Sequence, residues 1–274
     1  MMNNNIFVVN LKRCKKKRDR MKNRLKEYDF ILSEGVDGKN LSLQKMKEMG
    51  VGILKEWKDP YSGRNLTWGE VGCGLSHCNI YKECLNKNIK IAIVLEDDVE
   101  IVENFKDKIN ETLKNLKTLE WDLCYIGRKP MRYENESEVN EFILNADYSY
   151  WTCGYIINEN GMKKIINSGY LEKLIPIDEI IPLLGGVSPY KNYKKNYNIN
   201  EKLKILSVKD LFVKPENEAF KESDTENTEE VEIYTDDLLV LATGTDMTDG
   251  LERFIKSCKV YGLKHKIMGL GRKW

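Results

Sequence analysis

Apolar runs and amphipathic stretches alternate along most of the chain. Short apolar runs predict strands at residues 6–10, 30–32, 91–95, 121–126 and 147–157. A basic stretch at helical spacing predicts a helix over 12–24. Apolar residues at helical spacing predict further helices from 67–70 to about 85, over 103–117 and 162–168, and just after 176–179. Because strands that alternate with helices need crossover connections, the pattern predicts an α/β fold with a mostly parallel sheet.

The apolar run at residues 91–95 ends in three consecutive acids, Glu96, Asp97 and Asp98. Ligands of such sheets gather beyond the carboxyl ends of the strands, where Asn10 also falls. Buried carboxylates are costly without a cation, and carboxylate oxygens suit Mg²⁺ or Mn²⁺ with a diphosphate completing the shell. A solvated junction between strand and turn is the alternative interpretation.

The C-terminal part of the sequence changes character at residue 215. Residues 215–232 are polar, acidic and poor in aromatics, which predicts a surface tail or linker. A strand at 238–242, a helix at 249–261 and a strand at 266–270 then form one β-α-β pattern, too small for a core of its own. We therefore divide the chain into a domain at 1–214, a linker at 215–234 and an incomplete second domain at 235–274.

Composition narrows the possible functions and compartments. The 44 basic and 43 acidic residues give a net charge of +1, so no basic field exists to gather nucleic acid or coat a membrane. No run of 18 apolar residues and no signal-peptide h-region occurs, so we expect no membrane span and a chain that stays in the compartment of its synthesis. The odd number of cysteines, seven, predicts reduced thiols.

Several polar residues outside the acidic triplet are candidates for chemistry. Arg18 lies on the predicted helix that comes after Asn10, and the guanidinium fork of an arginine suits phosphate oxygens. The alternative interpretation is that this face of the helix is solvated. His77 is either a structural histidine or a base or ligand. Asp178 precedes an apolar helix, where an aspartate is either an N-cap or a general base. Residues 147–151 combine a carboxylate with aromatic stacking surfaces, as sugar or nucleoside sites often do, although core packing alone would explain the aromatics but not Asp147.

Motifs distributed over residues 6–226 resemble glycosyltransferase family 25, in its procollagen galactosyltransferase branch. The segments that carry the resemblance are IFVVNLKR at 6–13, GVDGK at 35–39, DPY at 59–61, GEVGC at 69–73, SH at 76–77, EDD at 96–98, WDL at 121–123, YIGRK at 125–129, ADYSYW at 146–151, PIDE at 176–179 and SDTE at 223–226.

This resemblance implies a GT-A type nucleotide-sugar transferase with a Rossmann-like sheet flanked by helices. It implies inverting, Mn²⁺-dependent transfer of galactose from UDP-galactose to hydroxylysine of collagen or a collagen-like polypeptide. Asp98 is then the candidate metal ligand, with Glu96 as a second. The candidate catalytic residues are Asp178, Glu179 and His77. The candidate residues for the nucleotide sugar are Asn10, Leu11, Arg18, Asp37, Glu70, Ser76, Glu96, Asp97, Asp147 and Trp151.

The C-terminal β-α-β resembles the start of the glycosyltransferase domain of multifunctional lysyl hydroxylases. The resemblance rests on LLVLAT at 238–243, TDG at 248–250, GLG at 269–271 and Trp274. Because that domain's metal and acceptor residues are missing, no second activity is assigned. Animal procollagen galactosyltransferases act in the ER lumen and carry signals that this sequence lacks. The combination suggests a cytoplasmic or host-cell protein of a large DNA virus or a microbe.

Two other functions remain open at this point. A transferase of the same fold could act on a lipid-linked or capsular oligosaccharide. The chain could also be a non-catalytic binding fragment, which its short C-terminal part favours and the intact acids at 96–98 oppose. The sequence does not specify an oligomeric state.

Overall fold

A computed structural model describes residues 5–216, 228–232, 235–244, 249–260 and 263–269. The chain divides into two compact units, Met1–Trp57 with Leu66–Glu229 and Lys58–Asn65 with Glu230–Trp274. We call them the main unit and the small unit. Most of the predicted linker, the motif at 223–226, and Thr248, Gly271 and Trp274 lie outside the described residues.

The main unit is built on a sheet of eight strands. Its strands are β1 (Asn5–Asn10), β2 (Phe30–Glu34), β3 (Ile91–Glu96), β5 (Leu123–Pro130), β6 (Ser137–Glu138), β7 (Ile143–Asn145), β8 (Ser149–Asn158) and β9 (Ile205–Val208), with β4 (Val99–Ile101) and β10 (Val213–Pro215) paired separately. Their order in the sheet is β2-β1-β3-β8-β5-β9-β7-β6. β1 therefore lies between β2 and β3, so the three strands end side by side.

Most strands of this sheet run in one direction. β1 is parallel to β2 and β3, and β5 is parallel to β9, whereas β8 is antiparallel to both β3 and β5. The predicted α/β class with a mostly parallel sheet is thus confirmed. The alternation of strands and helices did not predict that β8 runs the opposite way, and β9 carried no strong strand signal.

Helices cover the sheet and contribute apolar faces to the core. They are α1 (Lys15–Arg24), α2 (Leu43–Glu48), α3 (Trp68–Asn86), α4 (Phe105–Leu116), α5 (Glu159–Asn167) and α6 (Ile177–Gly185). α1 buries Met21 and leaves most of its other residues polar, whereas α4 buries residues at helical spacing, among them Phe105, Ile109 and Leu113. These four residues belong to one apolar core together with residues of the strands, such as Ile93 and Ile156.

Glycines allow α3 to approach the loop after β2. A Cβ atom on Gly72 would lie 2.4 Å from the carbonyl oxygen of Val36, and one on Gly38 would lie 2.1 Å from the carbonyl oxygen of Trp68. No side chain fits at those distances. The helix and the loop are therefore in backbone contact, which fixes their spacing beside the carboxyl ends of β1–β3.

The small unit contains a parallel pair of strands, β11 (Thr235–Gly244) and β12 (Leu263–Gly269), connected through α7 (Asp249–Val260). The predicted C-terminal β-α-β pattern is confirmed. The seven cysteines are free thiols, as predicted. Within the described residues, no helix has both the length and the apolar character needed to cross a membrane.

Candidate active site

The carboxyl ends of β1, β2 and β3 bring the predicted polar residues to one edge of the sheet. In the strand register Val9 is opposite Glu96 and Asn10 is opposite Glu34. A pocket opens at this edge. Its lining residues are Val9, Leu11, Arg13, Lys17, Val36, Asp37, Gly38, Gly69, Cys73, Ser76, His77, Glu96, Asp97, Asp98 and Thr228.

Asp97 and Asp98 share one ammonium group. Lys17 Nζ lies 3.1 Å from Asp98 Oδ2 and 3.7 Å from Asp97 Oδ1, and only 9% of the Lys17 side chain is exposed. Asn10 Nδ2 donates to Asp97 Oδ2 at 2.5 Å. Lys17 and Asn10 thus hold the two carboxylates in place at the end of β3.

Burial and mutual repulsion disfavour ionisation of these two acids. Burial, partly offset by Lys17, raises the pKa of Asp97 to about 7. Burial and the nearby Glu96 carboxylate raise the pKa of Asp98. For Lys17, burial alone would lower the pKa, but Asp98 and Asp97 outweigh it and raise the pKa. The cluster is therefore short of positive charge.

One face of α1 supplies the cations behind the acids. Lys17, Arg20 and Arg24 recur at helical spacing, and both arginines pair with Glu216, whose backbone N–H donates to the Asp98 carbonyl at 2.8 Å. Sequence reasoning selected Arg18 instead, and that guanidinium lies on another face, near the Lys12 carbonyl. The buried Met21 on the inward face was the available signal for which basic residues point toward β3.

Cys73, Ser76 and His77 enter the pocket from α3. Ser76 Oγ accepts from the Val36 N–H at 2.8 Å, so it anchors the loop after β2. His77 is fully buried, with Nδ1 2.7 Å from Tyr155 Oη and Nε2 3.7 Å from Glu96 Oε1. Glu96 also accepts from Thr152 Oγ1 at 2.5 Å. Burial opposes the ionisation of Glu96, but the His77 ring and the Thr152 hydroxyl lower its pKa below the usual value.

A second carboxylate pair lies where β8 begins and α6 starts. Asp178 Oδ2 accepts from the Trp151 N–H at 3.3 Å, and burial followed by the neighbouring Glu179 raises the pKa of Asp178 to about 8. Glu179 is more enclosed and accepts from Tyr148 Oη at 2.7 Å. Trp151 has a φ of 66°, a strained value for a side chain of its size, and its ring lies 5.1 Å from Lys129 Nζ.

The structure brings most of the predicted residues together, though not all into the pocket. Asn10 is connected to the pocket through its hydrogen bond to Asp97. Asp178 and Glu70 lie near enough to each other for the charge of Glu70 to raise the pKa of Asp178. Glu70 itself closes the N-terminus of α3 in a capping box with Thr67. Asp147 lies elsewhere and pairs with Arg132 at 2.6 Å. Sequence reasoning missed Lys17, Cys73 and Thr152 as parts of this region.

The acidic cluster fits a hard divalent cation. Asp97 and Asp98 are held above their usual pKa in contact with a single ammonium, Lys17, among the described residues, and carboxylate oxygens are the ligands that Mn²⁺ and Mg²⁺ prefer. The Asp37 carboxylate, in contrast, is already neutralised: Arg13 Nε lies 2.5 Å from it and holds its pKa below the usual value.

Comparison with known sequences matches both units. The profile described as glycosyltransferase family 25 (LPS biosynthesis protein) matches residues 3–181, more than half of the chain. The profile of the PLOD GT domain matches residues 234–274.

Individual relatives carry names from the same family. The chain is 39% identical over 233 residues to procollagen galactosyltransferase 1-A of Xenopus laevis, covering 81% of this chain and 38% of the relative. It is 36% identical over 250 residues to procollagen galactosyltransferase 2 of Homo sapiens, covering 89% and 40%. It is also 34% identical over 238 residues to the probable inactive glycosyltransferase 25 family member 3 of Bos taurus, covering 85% and 40%.

These relatives are much longer than the match. The chain spans 35–40% of the length of the first procollagen galactosyltransferases that it matches. The profile match, the acids at the end of β3 and the mostly parallel sheet agree with one another. The chain belongs to glycosyltransferase family 25.

Proposed function

We propose that the main unit transfers galactose from UDP-galactose to a hydroxylysine hydroxyl of a collagen-like polypeptide, with inversion at the sugar carbon and dependence on Mn²⁺. The observation that supports this best is the cation-deficient pair Asp97 and Asp98 at the carboxyl end of β3, inside a pocket. The names of the relatives support galactose as the sugar and procollagen as the acceptor.

The donor side of the reaction fits the pocket beside β1–β3. Asp98 would hold a divalent cation that neutralises negative charge on the leaving diphosphate, whereas Glu96, the second candidate ligand, is engaged by His77 and Thr152. Lys17 and Arg13 line the same pocket and would attract the phosphates. Asp37, Ser76 and the backbone after Asn10 would then contact the nucleoside.

The acceptor side fits the region around Asp178. Its carboxylate would take the proton of the hydroxylysine hydroxyl, as the new bond from that oxygen to the anomeric carbon forms. The bond from the anomeric carbon to the β-phosphate oxygen breaks at the same time, and its electron pair leaves with UDP. Asp178 suits this role better than Glu179, because Glu179 is already bound by the Tyr148 hydroxyl. A base works best when its pKa is close to the working pH, and that of Asp178 is about 8.

Aromatic side chains near Asp178 suit a sugar or peptide acceptor. The Trp151 indole is partly exposed, and Tyr148 and Tyr150 contact each other edge to face with centroids 5.3 Å apart. We assign His77 an orienting role toward Glu96, because it is fully buried and engaged with Tyr155. Arg18 and Asp147 have no role in this scheme, because Arg18 donates to the Lys12 carbonyl and Asp147 pairs with Arg132.

The test supplies UDP-galactose to the full chain with Mn²⁺ and a Gly-X-hydroxylysine peptide, and mass spectrometry follows addition of one hexose. The matched lysine peptide lacks the acceptor hydroxyl and should gain nothing, and UDP-glucose should replace UDP-galactose poorly. Transfer to a lipid-linked or capsular oligosaccharide, with none to the peptide, would overturn the acceptor assignment. No transfer to any acceptor and no release of UDP would show a non-catalytic protein, as the name of the bovine relative suggests for that protein.

A further inference from the structure

Three donor atoms of different chemistry converge beside the acidic cluster. Cys73 Sγ, a ring nitrogen of His77 and a carboxylate oxygen of Glu96 all lie within 4.8 Å of one another. Cys73 and His77 are four residues apart on α3, so they share one face of the helix, and the end of β3 places Glu96 opposite them. We call these residues the thiol cluster.

The state of His77 points to a ligand at this position. Its side chain is 0% exposed, and its Nδ1 is engaged with Tyr155 Oη, which in turn lies 2.5 Å from Tyr81 Oη. Nε2 is buried and has no hydrogen-bond partner. Glu96 Oε1, at 3.7 Å, is beyond hydrogen-bond distance, and a buried polar atom left in this state is unfavourable. Histidines that ligate metals are oriented in this way, with the second nitrogen hydrogen-bonded behind the ring.

We propose that the thiol cluster is a second cation site, selective for Zn²⁺ and similar ions, and separate from the Mn²⁺ site proposed on Asp98. A thiolate, an imidazole and a carboxylate are a ligand set that zinc favours, whereas manganese favours oxygen alone. Binding sends the Cys73 thiol proton to solvent and leaves the fourth position of a tetrahedral ion to water.

Contacts at the end of β3 separate the two sites. The Glu96 carboxylate contacts His77 and Thr152, whereas the Asp98 carboxylate contacts Lys17. An ion on the thiol cluster would therefore not need Asp98. It would supply the positive charge that Glu96 and a Cys73 thiolate require, and it would give His77 Nε2 a partner. This inference goes beyond the proposed transfer reaction and does not depend on it.

The test titrates the reduced, metal-free full chain with Co²⁺ as a spectroscopic substitute for Zn²⁺. We expect a near-ultraviolet charge-transfer band from thiolate to cobalt, which Zn²⁺ abolishes by displacement. Cys73→Ser should remove the band and weaken Zn²⁺ binding by at least about tenfold, and His77→Gln should weaken Zn²⁺ binding similarly. Cys14→Ser, which changes another half-buried thiol, is the matched control and should keep both.

Two outcomes would overturn the proposal: no band in the wild-type chain at saturating Co²⁺, or a band that persists in Cys73→Ser. Asp98→Ala separates this result from the proposed function. That variant should keep the cobalt band while losing galactose transfer, so the two hypotheses fail independently.

Alkylation of the wild-type chain gives a second readout that needs no variant. Zn²⁺ should slow the labelling of Cys73 by an alkylating reagent by at least about tenfold. It should leave the labelling of Cys14 unchanged. Peptide mass spectrometry measures both sites in one sample. Equal labelling of Cys73 with and without Zn²⁺ would contradict the site even if the serine variant does not fold.

Discussion

Replacing Asp97 with asparagine should stabilise the main unit, and should do so more at alkaline pH than at acidic pH. Only 13% of the Asp97 side chain is exposed, and burial is the main cause that raises its pKa from 3.8 to about 7. The folded state therefore binds more protons than the unfolded state between these values. The stability associated with Asp97 is fully present below pH 3.8 and is lost as the pH rises to about 7.

The size of the effect follows from the same shift. One pKa unit corresponds to about 1.4 kcal/mol. The raised pKa of Asp97 therefore lowers the free energy of unfolding by about 4 kcal/mol once the pH is above about 7. At a pH of about 5.5 the loss is about 2 kcal/mol. Asparagine carries no charge at either pH, and its amide oxygen can still accept from Asn10 Nδ2. The gain in the free energy of unfolding should therefore be larger by about 2 kcal/mol at a pH of about 8 than at about 5.5.

Urea unfolding followed by tryptophan fluorescence measures this difference, because four of the five tryptophans belong to the main unit. Asp19→Asn is the matched control, since Asp19 is exposed on α1, and its effect should be small at both pH values. A pH-independent gain in Asp97→Asn, or a loss of stability at both pH values, would refute the reasoning.

Three further changes test the site and its support. Asp98→Ala should lower turnover by at least about a hundredfold while the chain stays folded, and a wild-type rate would exclude Asp98 as a metal or charge-stabilising residue. If Asp178 is the base, the apparent kcat/KM should rise about tenfold per pH unit up to a pH of about 8 and then level off, and a flat profile would exclude Asp178 as the base. Asp178→Asn should abolish transfer but keep UDP binding. Gly72→Ala should lower the free energy of unfolding by about 1–3 kcal/mol, because its Cβ meets the Val36 carbonyl. Gly35→Ala should lower it less, because its Cβ meets only a Leu11 methyl at 3.2 Å, and equal losses of the two variants in thermal unfolding would contradict this.

The sequence predicted the position of the acids because strand β3 has a strong apolar pattern that ends at Glu96. It could not predict which basic residue faces them, because Lys15–Arg24 contains cations on every side of the helix and only tertiary packing selects Lys17. It gave no direction for β8, since an antiparallel strand between two parallel ones has the same apolar pattern.

The thiol cluster was hidden in the sequence for a different reason. Cys73 is one of seven cysteines, and its partner Glu96 is 23 positions further along the chain, so no local spacing connects them. The environment of His77 Nε2 becomes visible only when α3 packs beside β3.

The pairing of Glu216 with Arg20 and Arg24 determines where a working fragment can be cut. The family match stops at residue 181, but β9 occupies an interior place in the sheet and β10 leads directly to Glu216. An expression clone that ends with the match would expose the flank of β5 and remove the counter-charge of two arginines. Fragments intended for crystallisation or assay should accordingly extend to residue 229, the end of the main unit.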